Sequence, residues 1–161
     1  MIDTAKVKDR RQLHFNTIDE VVAEMNKIVA SDKKGTLRRS GNWTAGQVFN
    51  HLASWTNYAY DGFPMGKPPW FVRIILGMLK NKYIRKGLPA GVKIPKVENG
   101  TFATEEVSTD IGADRLRKAL ARLNSDEPAK FDSPAWGKMP QEERIALNLR
   151  HAELHMGFLH P

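Results

Sequence analysis

"NWTAGQVFNHLASWTNYAY", residues 42–60, is the stretch whose reading decides the fold. Thr44 followed three residues later by Gln47 is a capping-box pattern, which marks a helix start. At 100° per residue, Val48, His51, Leu52, Trp55 and Ala59 then share one stripe. His51 lies inside that stripe rather than on its polar edge. Burying an imidazole without a partner is costly, so the rest of the chain must supply one.

The other segments follow the same helical logic. Thr17 and Glu20 form a second capping box, and Ile18, Val21, Val22, Met25, Ile28 and Val29 recur at helical spacing, predicting a first helix from about Thr17 to Ala30. After the turn-rich "DGFPMGKPP", residues 70–87 read as a third helix, with Trp70, Phe71, Ile74, Ile75, Met78 and Leu79 as its core-facing side. Arg73, Lys80, Lys82, Arg85 and Lys86 surround that side as a solvated edge. From Gly87 to about Ser108 the periodicity dissolves, and a loop of that length often covers a site. "GADRLRKALARLN", residues 112–124, predicts a fourth helix with Leu116, Ala119, Leu120 and Leu123 inward. A second irregular link leads to Pro140, where a last helix starts and runs to about Leu159, with Glu142 and Glu143 suiting its positive end. No segment makes a convincing strand ladder. The expected class is all-α, a single domain over residues 1–161 built as a helical bundle.

Composition narrows the chemistry. The chain has no cysteine, which removes disulfides, thiolate nucleophiles and zinc–thiolate sites from its own repertoire and is compatible with a reducing cytoplasm. The N-terminal region is charged and lacks an apolar run, so no signal peptide is expected and the expected location is cytoplasmic. No run of about 18 apolar residues predicts a membrane span. Twenty-five basic against 18 acidic residues give +7, a charge that attracts phosphates, anionic lipids and acidic metabolites alike. The third helix could therefore dock on an anionic membrane or nucleic acid, but without a helix-turn-helix or RNA-binding signature no nucleic-acid partner is expected.

The closing segment "LRHAELHMGFLHP" supplies the partners that His51 needs. His151 and His155 stand four residues apart, one turn along the same helical face, in a sector shared with Leu147, Leu154 and Phe158. His160 falls well around the helix from both, and His14 has no pattern around it. Three inward histidines would repel one another if protonated, whereas a divalent metal needs neutral imidazoles with converging lone pairs. Three nitrogen ligands with an open position is the arrangement of a catalytic rather than a structural zinc site.

"LRRSGNWTAGQVFNHLASW" followed by "RHAELHMGFL" resembles the DinB-like superfamily, also called YfiT-like metalloenzymes. The stretch "SPAWGKMPQEERIALNLRHAELHMGFL" further resembles a branch known only as a domain of unknown function. The resemblance implies an up-down four-helix bundle with an extra short helix and long loops. It implies a metal, zinc or nickel, held by His51 from the second helix and by His151 and His155 from the last. Many relatives carry a further histidine where this chain has Leu154, which is not one of the three ligands. The best-understood relatives use a small external thiol to transfer or isomerise substrates, so the implied activity is a metal-dependent thiol S-transferase acting on a small molecule. The same site could instead activate water for hydrolysis. A metalloprotease is disfavoured, because Ala152 replaces the glutamate of HExxH and Glu153 projects about 200° from His151. No general base is evident. Asn148 and Arg144, upstream on roughly the same sector, are candidates for supporting or substrate contacts, Arg144 toward an anion. A non-enzymatic binding module using the basic surface is the competing class, and the sequence leaves a homodimer possible.

Overall fold

A computed structural model describes residues 2–95 and 97–161; Met1 and Lys96 lie outside the described residues. The chain is mostly helical: α1 (Ile18–Lys33), α2 (Ala45–Asp61), α3 (Trp70–Lys86), α4 (Thr109–Leu123) and α5 (Gln141–Met156). Three-residue helical turns lie at Thr4–Lys6 and Glu98–Gly100. The only strands among the described residues are β1 (Arg38–Arg39) and β2 (Leu159–His160), paired antiparallel with Arg38 opposite His160.

Local chemistry starts these helices. Both expected capping boxes form in full. Thr17 accepts from the Glu20 amide while Glu20 reaches back to the Thr17 amide, and Thr44 and Gln47 do the same at α2. Each such cap contributes about 1 kcal/mol. α1 continues three residues beyond Ala30, to Lys33. α4 begins three residues before Gly112, because Ser108 accepts from the Ile111 amide and caps it there. Pro140 occupies the position before the first residue of α5.

The core draws on four helices. Val21, Met25 and Ile28 come from α1, Val48, Phe49 and Leu52 from α2, Leu116, Leu120 and Leu123 from α4, and Leu149 and Met156 from α5. α2 and α4 form the most extensive pair. Two glycines allow that closeness. A Cβ on Gly46 would lie 2.0 Å from the Val107 carbonyl oxygen, and one on Gly112 would lie 2.6 Å from that of Gly46.

Two expectations are corrected. The last helix ends at Met156 rather than near Leu159. Gly157 lets the N-terminal arm cross, with the Arg11 amide donating to the Gly157 carbonyl at 2.8 Å, and Leu159–His160 then pair with β1. The larger correction concerns α3, which forms where expected but is not core-facing. It has 17 residues and buries none of them, and Trp70, Phe71, Ile74, Ile75 and Met78 all point outward. The other four helices already share one core, so α3 lies outside it against α5. Trp136 donates its indole N–H to the Leu76 carbonyl (2.8 Å), and Lys80 pairs with Glu143 (2.5 Å).

Candidate metal centre

α2 and α5 bring His51, His151 and His155 together, with one ligand atom from each lying within 4.8 Å of the others. His51 Nε2 stands 3.2 Å from His151 Nε2. Two nitrogens bound at about 2.0–2.1 Å to one tetrahedral ion are separated by roughly 3.3 Å, so this pair already has the spacing of a coordination edge. The widest separation within the triad, up to 4.8 Å, is longer than such an edge.

The tautomer of His51 follows from its other nitrogen. Nδ1 lies 2.9 Å from the Phe102 carbonyl oxygen and donates to it, which leaves the Nε2 lone pair free. Phe102 belongs to the irregular 87–108 segment. The turn there is held by Ala103 at φ 57°, a left-handed conformation that costs a non-glycine residue about 1 kcal/mol. The same stretch is pinned again where Gln47 donates to the Thr104 carbonyl at 3.2 Å.

Electrostatics keep the three rings neutral. Burial pushes His51 down to about 4, against the opposing pull of the Phe102 and Ala103 carbonyls and the Glu105 charge. Burial also drives His151 well below the usual range, helped by the charge of His51. His155 is lowered in the same way, by burial first and then by its two histidine neighbours and Arg10. Neutral rings with free lone pairs are what a divalent cation requires. The donor set of three imidazoles and no thiolate suits zinc, nickel, iron or copper more than magnesium or calcium.

Two tryptophans wall the triad. Trp43 stacks on His155, with ring centroids 5.2 Å apart and planes at 11°. Trp55 meets His151 edge-on at 5.8 Å, and its buried indole N–H has no partner among the described residues. Lateral spacing between α2 and α5 is set by Thr56, whose Oγ1 lies 2.8 Å from both the Leu52 carbonyl and Asn148 Oδ1. Asn148 donates in turn to the Arg144 carbonyl. Arg144 is bonded to the Met139 carbonyl and to Gln141, at the start of α5. Both residues thus engage protein groups rather than open space.

Several residues sit elsewhere. Glu153 accepts from the Phe15 amide (2.6 Å) and pairs with Arg150 (2.7 Å), fastening the N-terminal arm across α5 and away from the triad. His14 lies beside Arg150, and His160 bonds Arg38 and Ser40, so neither joins the three. Glu105 is a participant that sequence reasoning did not find. Its carboxylate accepts from the buried Asn50, whose oxygen accepts from Arg115 (2.7 Å), and its charge acts on both His51 and Tyr58. No helical periodicity leads to a residue on an irregular segment, and only the position of Asn50 beside His51 hints at a polar neighbour. A cavity of about 340 Å³ opens alongside, lined by residues from Val97 to Glu105. None of the three histidines lines it, whereas Phe102, whose carbonyl meets His51, does.

Comparison with curated proteins and with solved structures returns no match. Residues 7–161 match the family described as Protein of unknown function (DUF1569), and the chain belongs to that family.

Proposed function

We propose that this chain is a metal-dependent enzyme of the DinB-like type, a four-helix bundle with α3 added outside it. Its metal is zinc or nickel on His51, His151 and His155, and it acts on a small molecule. The observation that carries the reading is the approach of His51 and His151 Nε2 atoms to 3.2 Å while the Phe102 carbonyl holds the other nitrogen of His51. When bound, the metal supplies Lewis-acid activation of a thiol or water.

The chain's own groups do the rest. Trp43 and Trp55 shield one side of the triad from water, which strengthens electrostatic interactions inside it. The unpartnered Trp55 N–H offers a hydrogen bond to a substrate acceptor. Glu105 accepts from Asn50 and lends its negative charge to the surroundings of His51. The chain has no cysteine, so the attacking thiol in a transferase is an external low-molecular-weight one.

Elemental analysis of tag-free protein tests the metal, with about one divalent ion per chain expected. His51→Ala or His155→Ala should lower metal affinity far more than His14→Ala or His160→Ala. Equal loss in all four would show that the triad is not the site. Metal-loaded protein is then assayed for thiol conjugation to electrophiles and for ester and amide hydrolysis. Turnover that needs the thiol and disappears in His151→Ala supports the transferase, and turnover without thiol replaces it with a hydrolase.

A further inference from the structure

The outward face of α3 has no partner in the fold. Trp70 is 73% exposed and Met78 71%, and Phe71, Ile74 and Ile75 are each about half exposed. At helical spacing these five form one contiguous apolar surface over the first nine residues of α3, on the order of several hundred Å², which is large for a protein without a ligand there. Farther along the same face come Asn81, Lys82 and Arg85, all exposed.

Charge says what covers this face. Between Gly62 and Val97 the sequence has no Asp or Glu and carries eight Lys and Arg: Lys67, Arg73, Lys80, Lys82, Arg85, Lys86, Lys93 and Lys96. The chain holds 25 cations in all, so the remaining 125 residues have 17 against all 18 carboxylates. The whole positive excess of the sequence therefore falls within the 62–97 segment that contains α3. Among the described residues, Lys80 is the member of this set that is paired, with Glu143.

We propose that α3 is an interfacial helix that lays this face on an anionic phospholipid bilayer. A second copy of the chain is a poor occupant, because two acid-free basic faces would repel. Nucleic acid would satisfy the cations but offers no medium for five large apolar side chains, since most protein contacts to it are polar and go to phosphate. A bilayer surface satisfies both at once. Trp70, Phe71, Ile74, Ile75 and Met78 enter the acyl boundary, while the cations meet the phosphate headgroups. The helix does not cross, as none in the described structure is long and apolar enough to span a membrane. The proposal rests on α3 alone and is independent of the metal.

The test is co-sedimentation of the full chain, at physiological salt, with vesicles of phosphatidylcholine alone or mixed with phosphatidylglycerol. Binding to the mixed vesicles and not to the neutral ones is expected, with a blue shift in tryptophan emission that is reduced in Trp70→Phe. Ile74→Ser with Met78→Ser should weaken binding at least about tenfold through lost apolar contact. Lys82→Gln with Arg85→Gln should weaken it about 25-fold, from about fivefold per cation. The two pairs act through different forces, so loss in both supports the face even if one variant folds poorly. Equal sedimentation with both vesicle types, or wild-type binding by the serine pair, overturns the proposal. So does a dimer in solution that the serine pair dissociates while vesicle binding is absent, or duplex DNA binding that the serine pair leaves unchanged without vesicle binding.

Discussion

α2 and α3 have the same length, 17 residues each, and both are rich in aromatic and aliphatic side chains, yet ten residues of α2 are buried and none of α3. Apolar content does not separate them. What does is the means of close approach. α2 carries Gly46 and Ala45 at its start and Ala53 in its middle, so α4 can pack onto its backbone, and Thr44 caps it with a full capping box. α3 begins after Pro69 with no side-chain cap, and its cations flank both sides of its axis, so only Val72, Leu76, Leu79 and their neighbours turn toward the protein. The polar residues buried in α2 are Asn50, His51 and Thr56, and each has hydrogen-bond partners beyond its own helix. A helix belongs to a core when its small residues and its polar atoms can both be accommodated there.

The contrast predicts a graded set of stability effects. Phe49→Ala, at a fully buried position of α2, should cost about 3–5 kcal/mol by urea unfolding. A cost near zero would remove the α2–α4 contact from the core. Next comes acid. In the metal-free protein His51 titrates near 4 rather than at 6.5, so between those values the unfolded chain binds a proton that the folded chain does not. Stability is then present above 6.5 and falls as pH drops toward 4, by about 3 kcal/mol from His51 alone. His151 and His155 steepen that loss, as both are lowered too. Unfolding midpoints followed across this window check it, and a flat profile would place the rings in water.

Smaller effects sharpen the same comparison. Thr44→Ala removes the α2 cap and should cost about 1 kcal/mol, with Thr44→Ser restoring most of it. Met78→Ser on the outward face of α3 should change stability by less than about 0.5 kcal/mol, because that side chain touches solvent. A loss of several kcal/mol there would mean that the face is covered within the protein itself.

Much of the site was legible in the residues. His51 in an apolar stripe and the spacing of His151 and His155 led to the same three rings that converge in the structure. The exclusion of Glu153 by its direction on the helix agrees with its contacts, which are to Arg150 and to Phe15 of the N-terminal arm. Illegible were the Phe102 carbonyl, the two tryptophan walls as walls, and Glu105, since each reaches the site through tertiary packing or from an irregular segment. The engagement of Asn148 with Thr56 depends likewise on how α2 lies against α5.

By itself the sequence determined what forms within about four residues: the two capping boxes, the apolar periodicities of α1, α2 and α4, and the pair of imidazoles one turn apart on α5. These rest on short-range hydrogen bonds and on the fixed pitch of a helix, so neighbouring residues suffice. Only the tertiary structure decided which apolar faces meet. α3 has as good a claim to a core as any helix by composition, and it lies outside because burial is a competition among all faces for one limited interior. The carbonyl that fixes the tautomer of His51 was decided in the same way, by a segment that takes its shape from what it packs against.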